Sequence, residues 1–288
     1  MFVKYYGKNS STKSKNKFLQ GKFMDLQLKE KRALITGSSS GLGKQIAKTL
    51  AQESIVVFIN SRKKEKAEQV VQEIIEEGGQ AFIAVGDLSI DEGAPQIVEQ
   101  INAVVESIDI LVNNAGMFKN HNWMNTLLDQ WSEIYNVNVG SIVRLVQLLV
   151  PQMKQLGWGR IIQISSGLAI LAIQPFATLP NYQATKAAAL SLTVSLAKEL
   201  SQTGITVNSV SPRLMLTART EQMFLKIAQS KGWGTEWAKI EKRIQQECWP
   251  NPTGCLRKVE EVANLVTYLI SPVANYINGA NIQLMVEV

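Results

Sequence analysis

The stretch Thr36-Gly37-Ser38-Ser39-Ser40-Gly41-Leu42-Gly43 most narrows what this chain can become. It joins a short apolar run at 32–36 to an amphipathic run at 42–52. Glycines at a strand-to-helix turn permit tight bending and close approach by a ligand. The helix that follows offers unbonded N–H groups to a phosphate. A glycine-rich loop alone says little; a strand before it and a helix after it supply the context that gives it meaning.

The rest of the chain repeats that alternation. β-branched runs at 32–36, 54–60, 80–85, 109–112, 160–165, 205–209 and near 280–286 predict seven strands. Amphipathic runs at 42–52, 63–77, near 91–106, 124–156, 181–202 and 258–270 predict the helices between them, with Gly78-Gly79 stopping the second. Strand–helix alternation of this kind predicts an α/β protein, a Rossmann-like doubly wound parallel sheet of about seven strands with helices on both faces. No linker interrupts residues 24–288, which are read as a single domain.

At 288 residues, with 45% hydrophobic and 19% charged, the chain can bury a substantial core. Its formal net charge of +6 is local. Residues 1–23 hold six lysines and no acid, so the remainder has 24 basic residues against 24 acidic ones. That tail is polar and is predicted to be disordered. It reads as a targeting or binding arm, or as sequence upstream of a start at Met24; a neutral core argues against nucleic-acid binding. Cys248 and Cys255, in a chain without a secretory signal, read as reduced thiols in a cytoplasmic protein. With one histidine, His121, they cannot supply a zinc site of ordinary spacing, so no metal is expected. No run of about 18 apolar residues is present, and no membrane partner is expected.

Tyr182 and Lys186 are four residues apart in the helix-favouring stretch Asn181-Tyr-Gln-Ala-Thr-Lys-Ala-Ala-Ala-Leu190, which stacks a phenol and an ammonium on one face. The turn spacing G-x-x-x-G-x-G, the sequence Asn113-Asn114-Ala115-Gly116 after the fourth strand, and Tyr182-x-x-x-Lys186 together resemble the short-chain dehydrogenase/reductase family. The likeness runs over residues 27–283 and is nearest to the 3-oxoacyl-acyl-carrier-protein reductase-like group.

The resemblance implies roles for particular residues. Tyr182 matches the general acid/base, Ser166 the serine that hydrogen-bonds the substrate oxygen, and Lys186 the residue that lowers the tyrosine pKa and holds the nicotinamide ribose. Asn138 matches the asparagine that positions a relay water. Gly37, Ser39, Ser40, Gly41, Leu42 and Gly43 match the dinucleotide turn, Asp87 with Leu88 the adenine contact, and Asn114, Ala115 and Gly116 the loop beside the cofactor. Thr217 matches the support of the carboxamide. A homodimer or homotetramer is implied as well.

Coulomb attraction at ~4 Å is about 4 kcal/mol at an effective dielectric of 20. Lys186, aided by an oxidised nicotinamide, is therefore expected to draw Tyr182 down toward working pH. At the end of the second strand, Asn60-Ser61-Arg62-Lys63-Lys64 lacks the acid of NAD sites and offers a guanidinium, so Ser61 and Arg62 point to NADP(H).

Three features depart from the family pattern. The stretch 167–181 between the serine and the tyrosine is long and apolar. Arg213 follows Pro212 where the family has glycine. Met285-Val286-Glu287 replaces the usual Asp-Gly-Gly. Residues 217–256 are expected to form a substrate lid, in which Met223, Phe224, Trp233, Trp237, Cys248 and Trp249 either cover an apolar substrate or pack among themselves or against a subunit. The expected activity is NADP(H)-dependent interconversion of a ketone and a secondary alcohol. A 3-oxoacyl thioester is the first substrate, a sugar acid or polyol the second, and a weakly active cofactor-binding sensor or scaffold is the competing class.

Overall fold

Seven parallel strands lie in the order β3-β2-β1-β4-β5-β6-β9. The computed structural model describes residues 24–119, 122–169, 179–248 and 256–284. The strands are β1 (Arg32–Ile35), β2 (Val56–Ser61), β3 (Gln80–Val85), β4 (Ile110–Asn113), β5 (Gly159–Ile164), β6 (Ile205–Pro212) and β9 (Asn281–Leu284). A separate two-residue pair, β7 (Met215–Leu216) and β8 (Arg257–Lys258), is also parallel. The helices are α1 (Gly41–Gln52), α2 (Lys64–Glu76), α3 (Gly93–Asn102), α4 (Leu128–Tyr135), α5 (Ser141–Leu156), α6 (Pro180–Glu199), α7 (Ala218–Ser230), α8 (Trp237–Arg243) and α9 (Val259–Leu269).

Alternation along the strands divides the core in two. Ile35, Val57, Ile59, Val112 and Ile162 face Ile46, Leu50, Val70 and Val266 of α1, α2 and α9. Leu34, Phe58, Leu111 and Ile161 face Ile97, Leu145, Leu149 and Ala197 of α3, α5 and α6. Each fully buried leucine or isoleucine contributes about 1.5–3 kcal/mol by leaving water. The chain steps outward from β1 to β3, then returns to place β4 on the other side of β1. Ligands bind in the crevice at the carboxyl end of such a reversal.

The seven expected strands and the helices on both faces are present. The long apolar helix differs from expectation. Leu128–Leu156 is helical for 29 residues with hydropathy 1.2, long and apolar enough by composition to cross a bilayer. Its buried side chains Ile134, Leu145, Leu149 and Met153 belong to the folded domain. A π-helical turn, Asn136–Gly140, separates α4 from α5 within it.

Candidate active site

The crevice between β1 and β4 is held by polar groups that answer one another. The Thr36 hydroxyl accepts from the N–H groups of Asn114 (2.9 Å) and Ala115 (2.8 Å), while the Asn114 amide donates to the carbonyls of Thr36 (2.8 Å) and Gly37 (3.2 Å). Ser38 donates to the Ile35 carbonyl (2.7 Å) and accepts from the Asn60 N–H (3.0 Å), and Asn60 in turn accepts from Gly37 N–H (3.1 Å). Gly37 has φ +61°, and a Cβ there would sit 3.0 Å from the Ala115 Cα. At Gly43 a Cβ would meet the Asn114 amide at 2.4 Å and the Gly37 carbonyl at 2.6 Å.

The turn is thus drawn tight from behind and left open in front. Among the described residues, nothing lies within 4 Å of a Cβ built on Gly41. Ser40 begins α1 without a side-chain cap, and Ser39 is only half-buried. The first N–H groups of α1 have no intrahelical partner. Leu42 and Gly43 pack inward behind them. These residues fit a dinucleotide phosphate.

Ser61 and Asp87 close the ends of β2 and β3. The Ser61 hydroxyl accepts from the Lys63 N–H (3.1 Å), and Arg62 is exposed beside it. Burial works against the charge on Asp87. The Ser89 hydroxyl and N–H donate to its Oδ1 (2.7 and 2.9 Å), the Arg62 charge lies near, and together they hold the carboxyl below its usual range. Leu88 is buried next to it.

The π-turn carries Asn138, which is buried. Its Oδ1 accepts from the Met117 N–H (2.7 Å); its amide donates to the Met117 carbonyl (3.0 Å) and to the Thr185 hydroxyl (2.9 Å). A Cβ on Gly116 would stand 3.4 Å from Lys186 Nζ and 3.5 Å from Asn138 Oδ1. The structure therefore brings Gly116, Asn138 and Lys186 together.

Tyr182 and Lys186 lie on one face of α6, and the Lys186 ammonium is 5.7 Å from the centre of the Tyr182 ring. Lys186 donates to the Ile164 carbonyl at the end of β5 (2.8 Å), and the Ser165 hydroxyl donates to the Lys186 carbonyl (2.9 Å). Ser166, rather than Ser165, hydrogen-bonds the Tyr182 side chain. Burial lowers Lys186 to about 8.

The expected downward pull on Tyr182 is not what the protein alone produces. Burial raises the phenol, and the Ser166 hydrogen bond offsets only part of this. The Lys186 ammonium lies 5.7 Å from the ring centre, donates to Ile164, and does not figure among the causes of the shift.

β6 ends at Pro212, and Arg213 follows half-buried, with no hydrogen bond or ion pair among the described residues. Thr217 caps α7: its hydroxyl accepts from the Thr220 N–H (3.2 Å). The aromatics of 217–248 pack chiefly with one another, Phe224 and Trp233 being buried with Ile240, Ile244 and Cys248, and Phe224 lying 6.5 Å from the Trp237 ring. His121, the apolar wall at 170–178, Trp249, Cys255 and Met285-Val286-Glu287 lie outside the described residues.

Several site residues gave no sequence signal. Phe118 meets Tyr182 edge-on at 5.9 Å, and the Arg219 guanidinium lies 4.3 Å above the Phe118 ring. Arg144 binds Asp91 (2.6 Å) and Asn136 (2.5 Å), tying the loop after β3 to the π-turn. These contacts join distant segments, which local periodicity cannot report.

A profile of the short chain dehydrogenases matches residues 31–227. The chain belongs to that family. Among its relatives, the uncharacterized oxidoreductase YvaG of Bacillus subtilis is 36% identical over 262 residues, spanning 89% of this short-chain dehydrogenase and 95% of YvaG. The 3-oxoacyl-[acyl-carrier-protein] reductase FabG of Aquifex aeolicus is 34% identical over 257 residues, spanning 89% and 96%. The L-sorbose reductase of Gluconobacter frateurii, crystallised with NADPH and L-sorbose, superposes with a TM-score of 0.83 at 30% identity, covering 91% of this chain and 97% of its own.

Proposed function

We propose that the chain is an NADP(H)-dependent oxidoreductase that interconverts a ketone and a secondary alcohol, with Tyr182 as general acid/base. The observation that carries this reading is the Ser166–Tyr182 hydroxyl pair with Lys186 beneath the ring, beside a turn shaped for a dinucleotide phosphate. Gly37, Ser39, Ser40, Gly41, Leu42 and Gly43 would hold the pyrophosphate, Ser61 and Arg62 the 2′-phosphate, and Asp87 and Leu88 the adenine. Asn114, Ala115, Gly116 and Thr217 would flank the nicotinamide. NADPH in the related L-sorbose reductase supports the cofactor choice.

When bound, the nicotinamide supplies or accepts the hydride. In ketone reduction, Ser166 holds the carbonyl oxygen and Tyr182 donates its proton to it. A raised phenol pKa keeps Tyr182 protonated at neutral pH, which suits it to act as the acid. Lys186 stabilises the phenolate left behind. It makes one hydrogen bond among the described residues, to Ile164, so two of its three donors remain for the ribose and a relay. The Asn138 side chain is committed to Met117 and Thr185, which fixes the π-turn beside Lys186 where the relay water would lie.

A 3-oxoacyl thioester is the first substrate reading, supported by the FabG relative. A sugar-type substrate is the second, supported by the likeness to L-sorbose reductase. The test is NADPH oxidation followed against a panel of β-ketoacyl thioesters, ketoses and keto acids, with wild type and Tyr182→Phe. Turnover that falls about 10²- to 10⁴-fold in the variant is the expected result. Turnover that survives the change sinks the mechanism, and NADPH binding with no turnover anywhere on the panel favours a sensor.

A further inference from the structure

Two arginines beyond β6 have donors that nothing in the described protein uses. Arg219 stands in the first turn of α7, whose start is fixed by the paired hydroxyls of Thr217 and Thr220 (3.1 Å). Its guanidinium lies 4.3 Å from the centre of the Phe118 ring, and Phe118 packs edge-on against Tyr182. Arg219 is exposed, and a guanidinium held at a ring by its charge keeps N–H donors for other partners. Arg219 makes no hydrogen bond and no ion pair among the described residues.

The surroundings do not neutralise it. Glu133 is bound to Lys119, the residue next to Phe118 (2.5 Å). Glu221 is two residues along the same helix, a spacing at which side chains do not face one another. Arg213, unpaired among the described residues, adds a second guanidinium after β6, next to β5, which leads into Ser165 and Ser166. Planar, weakly hydrated donors of this kind favour bidentate contact with carboxylate or phosphate oxygens.

We propose that the substrate is anionic: a ketone or secondary alcohol bearing a carboxylate or a phosphate, which Arg219 receives one aromatic ring away from Tyr182. The proposal rests on the oxidoreductase reading above and narrows its substrate. An extended thioester whose charge lies far from its carbonyl would not use this arginine. A compact keto acid or ketose phosphate would.

The experiment compares matched pairs with NADPH: keto acids against their methyl esters, and ketoses against their phosphates, using wild type, Arg219→Met and Arg219→Lys. The expected result is a higher kcat/KM for the charged member of at least one pair. That preference falls about ten- to hundredfold in Arg219→Met, through KM, and is partly kept in Arg219→Lys. The keto-acid and phosphate arms tell the two anions apart. Equal turnover of charged and neutral members overturns the proposal and leaves the oxidoreductase standing. So does a preference that persists in Arg219→Met, or a loss that appears in the KM for NADPH, since the arginine would then serve the cofactor. Failure of every pair, charged and neutral, sinks the underlying reading along with it.

Discussion

The β1–β4 crevice and the region beyond β5 and β6 lie on the same edge of one sheet and are built in opposite ways. In the first, Thr36, Ser38, Asn60 and Asn114 bond one another or the backbone, and glycine keeps the strands' ends in contact. In the second, Lys186 makes one hydrogen bond, Arg219 touches only a ring, and Arg213 has no partner among the described residues. Buried polar groups without partners are costly. Lys186 is the buried charge of the second region, whereas Arg219 is exposed and Arg213 half-buried, so their free donors face a far smaller penalty.

The sharpest way to break this contrast is Lys186→Met. Turnover is expected to fall about 10²- to 10⁴-fold, while the melting temperature rises because a buried charge is removed. The sign follows from proton binding. Lys186 loses its proton near pH 8 when folded, whereas an unfolded lysine keeps it to about 10.4. Across that window the unfolded chain binds more protons, so wild-type stability from this group rises with pH and the gap to the variant narrows. Thermal melts at pH 7 and pH 9.5 measure it; a variant that melts lower at pH 7 contradicts the picture.

Gly43→Ala tests the crevice. Alanine is the better helix former by about 1 kcal/mol, yet its Cβ would strike the Asn114 amide and the Gly37 carbonyl. A net loss of about 1–3 kcal/mol in urea unfolding and weaker NADPH binding are expected. Unchanged stability and affinity would show that the turn can relax.

Arg62→Ala carries the smallest effect, since this side chain is exposed. The ratio of kcat/KM for NADPH over NADH is expected to drop about tenfold, with NADH little affected. A ratio that does not move assigns the 2′-phosphate to another residue.

The fold was legible where burial follows residue type. β-branched runs marked the strands, and the i, i+4 spacing of Tyr182 and Lys186 marked their shared face. It was less legible where buried groups are polar. β6 was expected to stop at 209 but continues to Pro212, because the buried hydroxyls of Ser209 and Ser211 both donate to Asn281 Oδ1 (2.9 and 2.7 Å). The bond between Ser166 and Tyr182 and the contact of Arg219 with Phe118 are tertiary, and no local pattern encodes them. The phenol's raised pKa was missed for a related reason: pairwise charge arithmetic omits the burial that here outweighs it.

The π-helical turn at Asn136–Gly140 amounts to one extra residue spliced into an otherwise regular rod. Removing that residue would let the rod close into ordinary α-helix with the buried sides of α4 and α5 still aligned. Asn138, however, would swing off Met117 and Thr185. Circular dichroism of a Val139 deletion should show full helix content in a protein that no longer turns over substrate. A copy of this gene could thus fall silent by a single-codon loss while keeping its shape, so an overall superposition would not tell a working enzyme from a retired one.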